Sequence, residues 1–188
     1  MQIELVPAHS GDRALALSHF FVAFFHDLSQ FDRQIVVNRY GLPCWEPTLI
    51  ACGTDGPKTA EECARFNWWV RDQADRTLFL ADGVPAGFAI VLSRHPPLPD
   101  DVDHELMDFY IAPKFRRQGV GRIAARALFD RQPGRWQVFQ LERNAPAIAF
   151  WHRVIGEYTG DHYLSLDNGT QQRFDNSDRA PAKETRPD

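Results

Sequence analysis

The residues best placed to do chemistry are Arg116-Arg117-Gln118-Gly119-Val120-Gly121, followed at once by Arg122. They stand between a stretch that reads as a strand, closed by Pro113, and one that reads as a helix, Gly121–Arg131. Glycines let a backbone come close to a ligand. The free amides of a helix's first turn point into the same space, and the helix dipole adds positive potential. Arg116, Arg117 and Arg122 supply formal charge. This combination suits a phosphate or pyrophosphate group.

Two familiar phosphate loops do not account for it. Gly119-Val-Gly121-Arg-Ile-Ala124 satisfies G-x-G-x-x-A, and Glu142 ends the next strand about 20 residues later, like a ribose-binding acid. The dinucleotide fingerprint, however, has its first glycine directly at the strand end in the first βα unit. Here Lys114 to Gln118 intervene, and the unit is not the chain's first. A nucleoside triphosphatase loop would need Gly-Lys-Ser/Thr, and none follows.

The elements around this loop follow from periodicity and punctuation. Gln2–Pro7 alternates as a strand, and Ser10 or Asp12 caps a helix running to about Leu28. That helix is apolar nearly all round, which suits a sandwiched position or a subunit interface, so a homodimer is one expectation. Phe31 to Pro57 reads as irregular, with Leu49-Ile-Ala-Cys52 as a short strand. Thr59-Ala-Glu-Glu62 forms a capping box, predicting a helix to about Ala74 that buries Cys63, Phe66 and Val70. Thr77–Ala81 and Ala86–Ser93 read as a hairpin around Asp82-Gly83. Arg94 to Asp103 is a proline-rich loop, and Glu105–Ala112 a strand. Trp136–Leu141 is a strand and Ala145–Gly156 a helix. His162–Leu166 and Thr170–Phe174 flank Asn168-Gly169 as a last hairpin. The order predicts an α/β protein with one mixed sheet and helices on both faces. One domain over 1–174 and a polar, disordered tail over 175–188 are expected.

Composition narrows the function. The chain has 188 residues, with 21 Lys and Arg against 25 Asp and Glu, a formal net charge of −4. This mild acidity, without basic clusters, argues against nucleic acid or an anionic membrane as partner. Cys44, Cys52 and Cys63 form no C-x-x-C pair and no zinc spacing, so reduced thiols, no metal and a cytoplasmic setting are expected. The start lacks the basic segment of a signal peptide. The greasiest run, Ala14 to Phe25, is broken by Ser18 and His19, short of the roughly 18 apolar residues of a membrane span.

Strand, proline, Arg116-x-x-Gly119-x-Gly121 and helix together resemble the acetyl-CoA motif R/Q-x-x-G-x-G/A of the GCN5-related N-acetyltransferase (GNAT) family. Asn144-x-x-Ala147-x-x-Phe150-Trp151 resembles the family's second motif, one strand later, and the terminal Asn-Gly hairpin matches its C-terminal end. The resemblance covers about Arg76–Phe174. It implies a mostly antiparallel mixed sheet whose fourth strand is bulged and splays from the fifth. The pantetheine arm of acetyl-CoA would enter that gap and pair with backbone at Phe109, Tyr110 and Ile111. The pyrophosphate would lie on amides from Arg117 through Gln118, Gly119, Val120 and Gly121 to Arg122, beside Arg116. Asn144 would contact the pantetheine or brace the loop, while also suiting a helix N-cap ahead of Pro146.

The implied reaction is direct acetyl transfer from the thioester to a primary amine of a small molecule or peptide. The alternative is a degenerate acyl-CoA-binding regulator or sensor without turnover. Such transfer needs a base, an oxyanion donor and a way to protonate the thiolate. A backbone amide near Ile111 would be the donor. Glu105, eleven positions before Arg116, matches the offset of the catalytic glutamate in histone-type members. Asp108 and His104 are its rivals, on the opposite face by strict alternation unless a bulge changes the parity. Many members place a Tyr after the motif Phe; here Trp151 stands there, and its indole cannot give up a proton at neutral pH. Tyr158, Tyr163, Tyr110 or water would then take that role. By the same resemblance, acceptor specificity falls to a region holding Arg39, Tyr40, Trp45, Glu46, Trp68 and Trp69. An aromatic wall with Glu46 would suit a small amine.

Overall fold

Two long strands of the sheet are joined by a tight turn. β4 (Ala74–Ala81) and β5 (Val84–Ser93) are joined at Asp82 and Gly83, with φ of +48° and +78°. Positive φ at both central residues matches the right-handed twist of a hairpin. The computed structural model describes residues 1–67, 74–94 and 98–179.

β1 (Ile3–Pro7), β6 (His104–Ile111), β7 (Arg135–Phe139), β8 (Leu164–Leu166) and β9 (Gln171–Asp175) complete a seven-stranded sheet in the order β1-β4-β5-β6-β7-β9-β8. Every neighbouring pair is antiparallel except β6 with β7. The expected mixed, mostly antiparallel sheet is therefore what the chain forms. α4 (Val120–Arg131) and α5 (Ala145–Thr159) cover one face, burying Ala124, Leu128, Phe129, Trp151 and Ile155 against Phe79, Leu106, Trp136 and Val138. α1 (Gly11–Ser29) covers the other, burying Phe21, Phe24 and Phe25 against Phe88, Ile90 and Tyr110. The apolar face of α1 is thus used within the chain.

Two features make a gap in the middle of the sheet. Ile90 pairs with Asp108 but Val91 pairs with Leu106, so Met107 is an extra residue that bulges β6. A bulge bends its strand and disrupts the ladder locally. β6 and β7 pair only through His104–Trp136, Glu105–Gln137 and Leu106–Val138. Beyond the bulge Phe109, Tyr110 and Ile111 remain paired to β5 on one side and have no β7 partner on the other.

β5 and β6 lie unusually close at Gly87, where an added Cβ would fall 2.1 Å from the Tyr110 carbonyl oxygen. Gly87→Ala is expected to destabilise by about 3 kcal/mol, since backbone rather than a flexible side chain must give way. Urea denaturation checks this, and an unchanged midpoint would refute it.

Several elements differ from expectation. Leu49–Cys52 is not a strand but the end of α2 (Glu46–Cys52). Pro47 lies in its first turn, Glu46 suits the N-terminal dipole, and Gly53 at φ +60° closes it, the usual proline-in, glycine-out pattern. β2 (Ile35–Val37) and β3 (Pro43–Trp45) form a small separate hairpin in the stretch expected to be irregular. α3 (Ala60–Asn67) begins with the expected cap, the Glu62 amide donating to Thr59 Oγ1 at 3.1 Å. The Glu62 carboxylate reaches back to the Lys58 amide at 2.7 Å. The helix was expected to reach Ala74, but Ala74 starts β4. The expectations for Trp68, Trp69 and Val70 lie outside the described residues.

At the other end, order continues past Phe174. β9 includes Asp175, and Asn176 is buried, accepting from the Gly134 amide at 2.8 Å and donating to the Phe129 carbonyl at 2.9 Å. Of the expected tail, 180–188 lies outside the described residues. Among the described residues no helix is long and apolar enough to cross a membrane.

Candidate active site

The glycine loop leaves β6 through a single 3-10 turn at Pro113–Phe115. Arg117 at φ +61° and Gly119 at φ +83° alternate with ordinary backbone, the kind of curl that turns successive amides toward one concavity. A Cβ at Gly119 would meet nothing within 4 Å, so the loop is open on that side. The first amides of α4 have no intrahelical partner, and Gly119 supplies no side-chain cap. Gly121 serves packing: a Cβ there would press on the Phe150 ring at 3.2 Å and Ile111 Cγ1 at 3.4 Å. Val120 is fully buried and anchors the turn.

The loop side chains are not all aimed at an anion. Arg116 donates from Nε to the Ile111 carbonyl at 2.7 Å and from Nη2 to Asp27 Oδ2 on α1 at 2.5 Å. Its guanidinium also lies over the Tyr110 ring, 5.3 Å from the centroid. Arg122 pairs with Glu157 at 3.5 Å, and Gln118 donates to the Lys114 carbonyl at 2.6 Å. The backbone, with the α4 dipole, is what this loop offers most directly to a pyrophosphate.

Where β6 and β7 part, a cavity of about 630 Å³ passes between them. Glu105 through Phe109 form one wall, and Val138, Phe139, Gln140 and Leu141 the other. Asn144, Ala147 and Trp151 line it from α5, and Phe21, Phe24, Phe25 and Leu28 from α1, with Trp45 and Thr48 beside them. Asn144 does cap α5, its Oδ1 accepting from the Ala147 amide at 3.2 Å, while also lining the cavity. Trp151 is buried, edge-on to Phe109 at 5.0 Å between ring centroids.

The bulge decides which acids share this cavity. Leu106, Phe109 and Ile111 pack toward α4 and α5, whereas Met107 and Tyr110 pack toward α1. Alternation on either side of the bulge then puts both Glu105 and Asp108 on the α1 face, and both line the cavity. The opposite-face expectation for Asp108 is corrected by the extra residue at Met107. Burial among apolar walls pushes the Asp108 carboxyl up to about 7. Glu105 is also raised by burial, opposed by a hydrogen bond that its Oε2 accepts from Gln137 Nε2 at 3.1 Å.

The remaining expected groups are elsewhere. His104 turns to the other face, 2.9 Å from Ser93 Oγ and 3.3 Å from the Pro133 carbonyl, with its ring against Trp136. Burial lowers its pKa, favouring neutral imidazole. Tyr158 is not brought to the cavity: its hydroxyl donates to Asp130 at 2.8 Å and accepts from Asn176 at 3.0 Å. Tyr163 is bound to His152 at 2.8 Å, and Tyr110 packs among Phe20, Phe24 and Phe88. No tyrosine is among the described lining residues. Of the acceptor residues expected in the described region, Trp45 lines the cavity, whereas Arg39 pairs with Asp55 and Tyr40 is exposed. Phe21, Phe24, Phe25, Gln137 and Gln140 were not singled out from sequence. The near-continuous apolar surface of α1 was the available signal for the first three.

Among the described residues no cluster of His, Cys, Asp and Glu suits a metal. The sequence matches the acetyltransferase (GNAT) family over residues 42–156, more than half its length. The chain belongs to that family, a family of acyltransferases. Among solved structures it is similar to a protein from Corynebacterium glutamicum described as "histone acetyltransferase HPA2 and related acetyltransferase". That match has TM-score 0.56 and 16% identity, covering 98% of this chain and 99% of the other. An acetyltransferase from Thermus thermophilus matches with TM-score 0.54 and 16% identity, over 92% of this chain and 95% of the other. At such identities these two similarities bear on the fold alone. The search of curated proteins found no match.

Proposed function

We propose that this chain, as one domain that extends past residue 174 to include Asp175 and Asn176, is an acetyl-CoA-dependent N-acetyltransferase acting by direct transfer on a primary amine of a small molecule or peptide. The observation that carries this reading is one cavity, at the splay of β6 and β7, lined by two carboxylates of β6, the strand that leads through a 3-10 turn into the open glycine loop. The pyrophosphate rests on the amides from Arg117 to Arg122 at the α4 N-terminus. The pantetheine arm extends along the unpaired edge at Phe109, Tyr110 and Ile111 as an added strand. Acetyl-CoA supplies the activated acyl group.

Asp108 is the base in this reading, because a carboxyl titrating near neutrality balances proton affinity against availability. It takes the amine proton as nitrogen forms a bond to the acetyl carbon. The C–S bond then breaks and the coenzyme leaves as thiolate, protonated from water, since the described lining residues include no tyrosine. A β6 backbone amide near Ile111 faces the developing oxyanion. Glu105, held by Gln137, attracts the incoming ammonium, which releases one proton to water to become the neutral amine that attacks. Binding without turnover draws support from Trp151, but a carboxyl placed and raised as Asp108 is favours turnover. Cys44 and Cys63 are buried and Cys52 is exposed, with no disulfide among the described residues, which supports a reducing, cytoplasmic setting.

Thiol release from acetyl-CoA with a panel of amines tests the reading; binding without release from any amine would overturn it. Arg116→Ala separates brace from phosphate ligand. Its pair with Asp27 is half exposed, so a stability loss of about 1 kcal/mol is expected. Acetyl-CoA affinity should fall less than about tenfold, because the amides remain. A loss of 100-fold or more, measured by calorimetric titration, would make Arg116 a direct phosphate contact.

A further inference from the structure

The two halves of the cavity differ in chemistry, and the half facing α1 and α2 defines what amine it can take. Its wall is Phe21, Phe24, Phe25, Leu28 and Trp45, with Thr48 at its side. Phe21, Phe24 and Phe25 are largely buried in the core, so what they present to the cavity is ring edge, with the half-buried Leu28 and Trp45 beside them. Among the described lining residues the only ionisable groups are Glu105 and Asp108, both acids; no Lys, Arg or His is present. Resting on the reading above, we propose that the acceptor is a compact arylalkylamine: one primary amine, an aromatic ring, and no carboxylate.

Each part follows from the wall. A single ammonium matches Glu105, while Asp108 accepts the proton that is lost. An aromatic ring meets Phe25 and Trp45 edge to face or offset, at a gain beyond simple burial. A carboxylate on the acceptor would be desolvated beside two acids, with no cation among the described lining residues to receive it. A polyamine brings no ring to this wall, and the several hydroxyls of an aminosugar would outnumber its polar side chains, Thr48 and the two acids. A cavity of about 630 Å³, shared with the thioester arm, suits a compact acceptor.

The test compares 2-phenylethylamine, phenylalanine, spermidine and a lysine-bearing peptide as acceptors, followed by thiol release from acetyl-CoA. The first pair differs only by a carboxylate. The expected result is kcat/KM for 2-phenylethylamine about 100-fold or more above each of the other three. Comparable or faster turnover of phenylalanine, spermidine or the peptide would overturn the proposal while leaving the acetyltransferase reading intact. No release with any of the four, on protein that binds acetyl-CoA, would overturn both. Trp45→Ala should raise KM for 2-phenylethylamine about tenfold, with acetyl-CoA titration verifying that the variant is folded. Trp45→Leu serves if the alanine variant does not fold. An unchanged KM in the folded variant would show that Trp45 is not part of the acceptor wall and overturn the assignment.

Discussion

Asp108→Asn is expected to lower the rate of acetyl transfer by about 10²- to 10⁴-fold, the usual range for removing a general base. The same change should make the protein more stable at neutral pH. Burial raises the Asp108 carboxyl from an ordinary 3.8 to about 7 in the folded chain. Between those values the folded state holds a proton that the unfolded chain has released, so stability falls as pH rises through this window. Above pH 7 the full cost is present, with a ceiling of about 4 kcal/mol for a shift of about three units. Asparagine carries no such charge. Its melting temperature should exceed that of the parent by several degrees at pH 8 and approach it near pH 4. Thermal melts at both pH values, beside thiol-release rates, check the two halves together. A variant that is inactive yet less stable at pH 8 would mean Asp108 is a structural acid.

Gly119→Glu is expected to weaken acetyl-CoA binding by about 100-fold or more while leaving the protein folded. The added side chain starts in open space, since a Cβ there meets nothing within 4 Å. Only the backbone at φ +83° resists it, at a cost of about 1–2 kcal/mol. The glutamate carboxylate would then lie at the α4 N-terminus, taking the amides that a pyrophosphate needs and repelling it. Gly119→Ala carries the backbone strain without the charge and should lose less than about tenfold. Calorimetric titration of both variants separates strain from occupancy. Equal losses in the two would show that loop conformation, rather than the anion cradle, controls binding.

The parts of this site that were legible in the sequence are the local ones. The geometry of the glycine loop could be read because it resides in consecutive residues: glycine backbone freedom and the start of α4. Asn144 ahead of Pro146 showed its cap for the same reason. The bracing of Arg116 was not legible, because its partner Asp27 lies 89 positions away on α1 and nothing local announces the pair. The Met107 bulge is decided by register against β5, so alternation along β6 alone separated Glu105 from Asp108. In α2, the run Leu49-Ile-Ala-Cys52 outweighed Pro47 and Gly53, although those two carried the stronger signal. The phenylalanines of α1 were recognisable as buried, but which of them open onto a cavity depends on where β6 and β7 separate.

The central claim is that acetyl transfer to an amine takes place in the cavity between β6 and β7 with Asp108 as base. Its most direct test is acetyl-CoA-dependent thiol release with 2-phenylethylamine and the wider amine panel, measured from pH 5.5 to 8.5 on the parent and Asp108→Asn proteins. The predicted result is a kcat/KM that rises with pH through an apparent pKa near 7 in the parent and is reduced at least about 100-fold in the variant. Thiol release that is absent for every amine, or equal in the two proteins, would contradict the account.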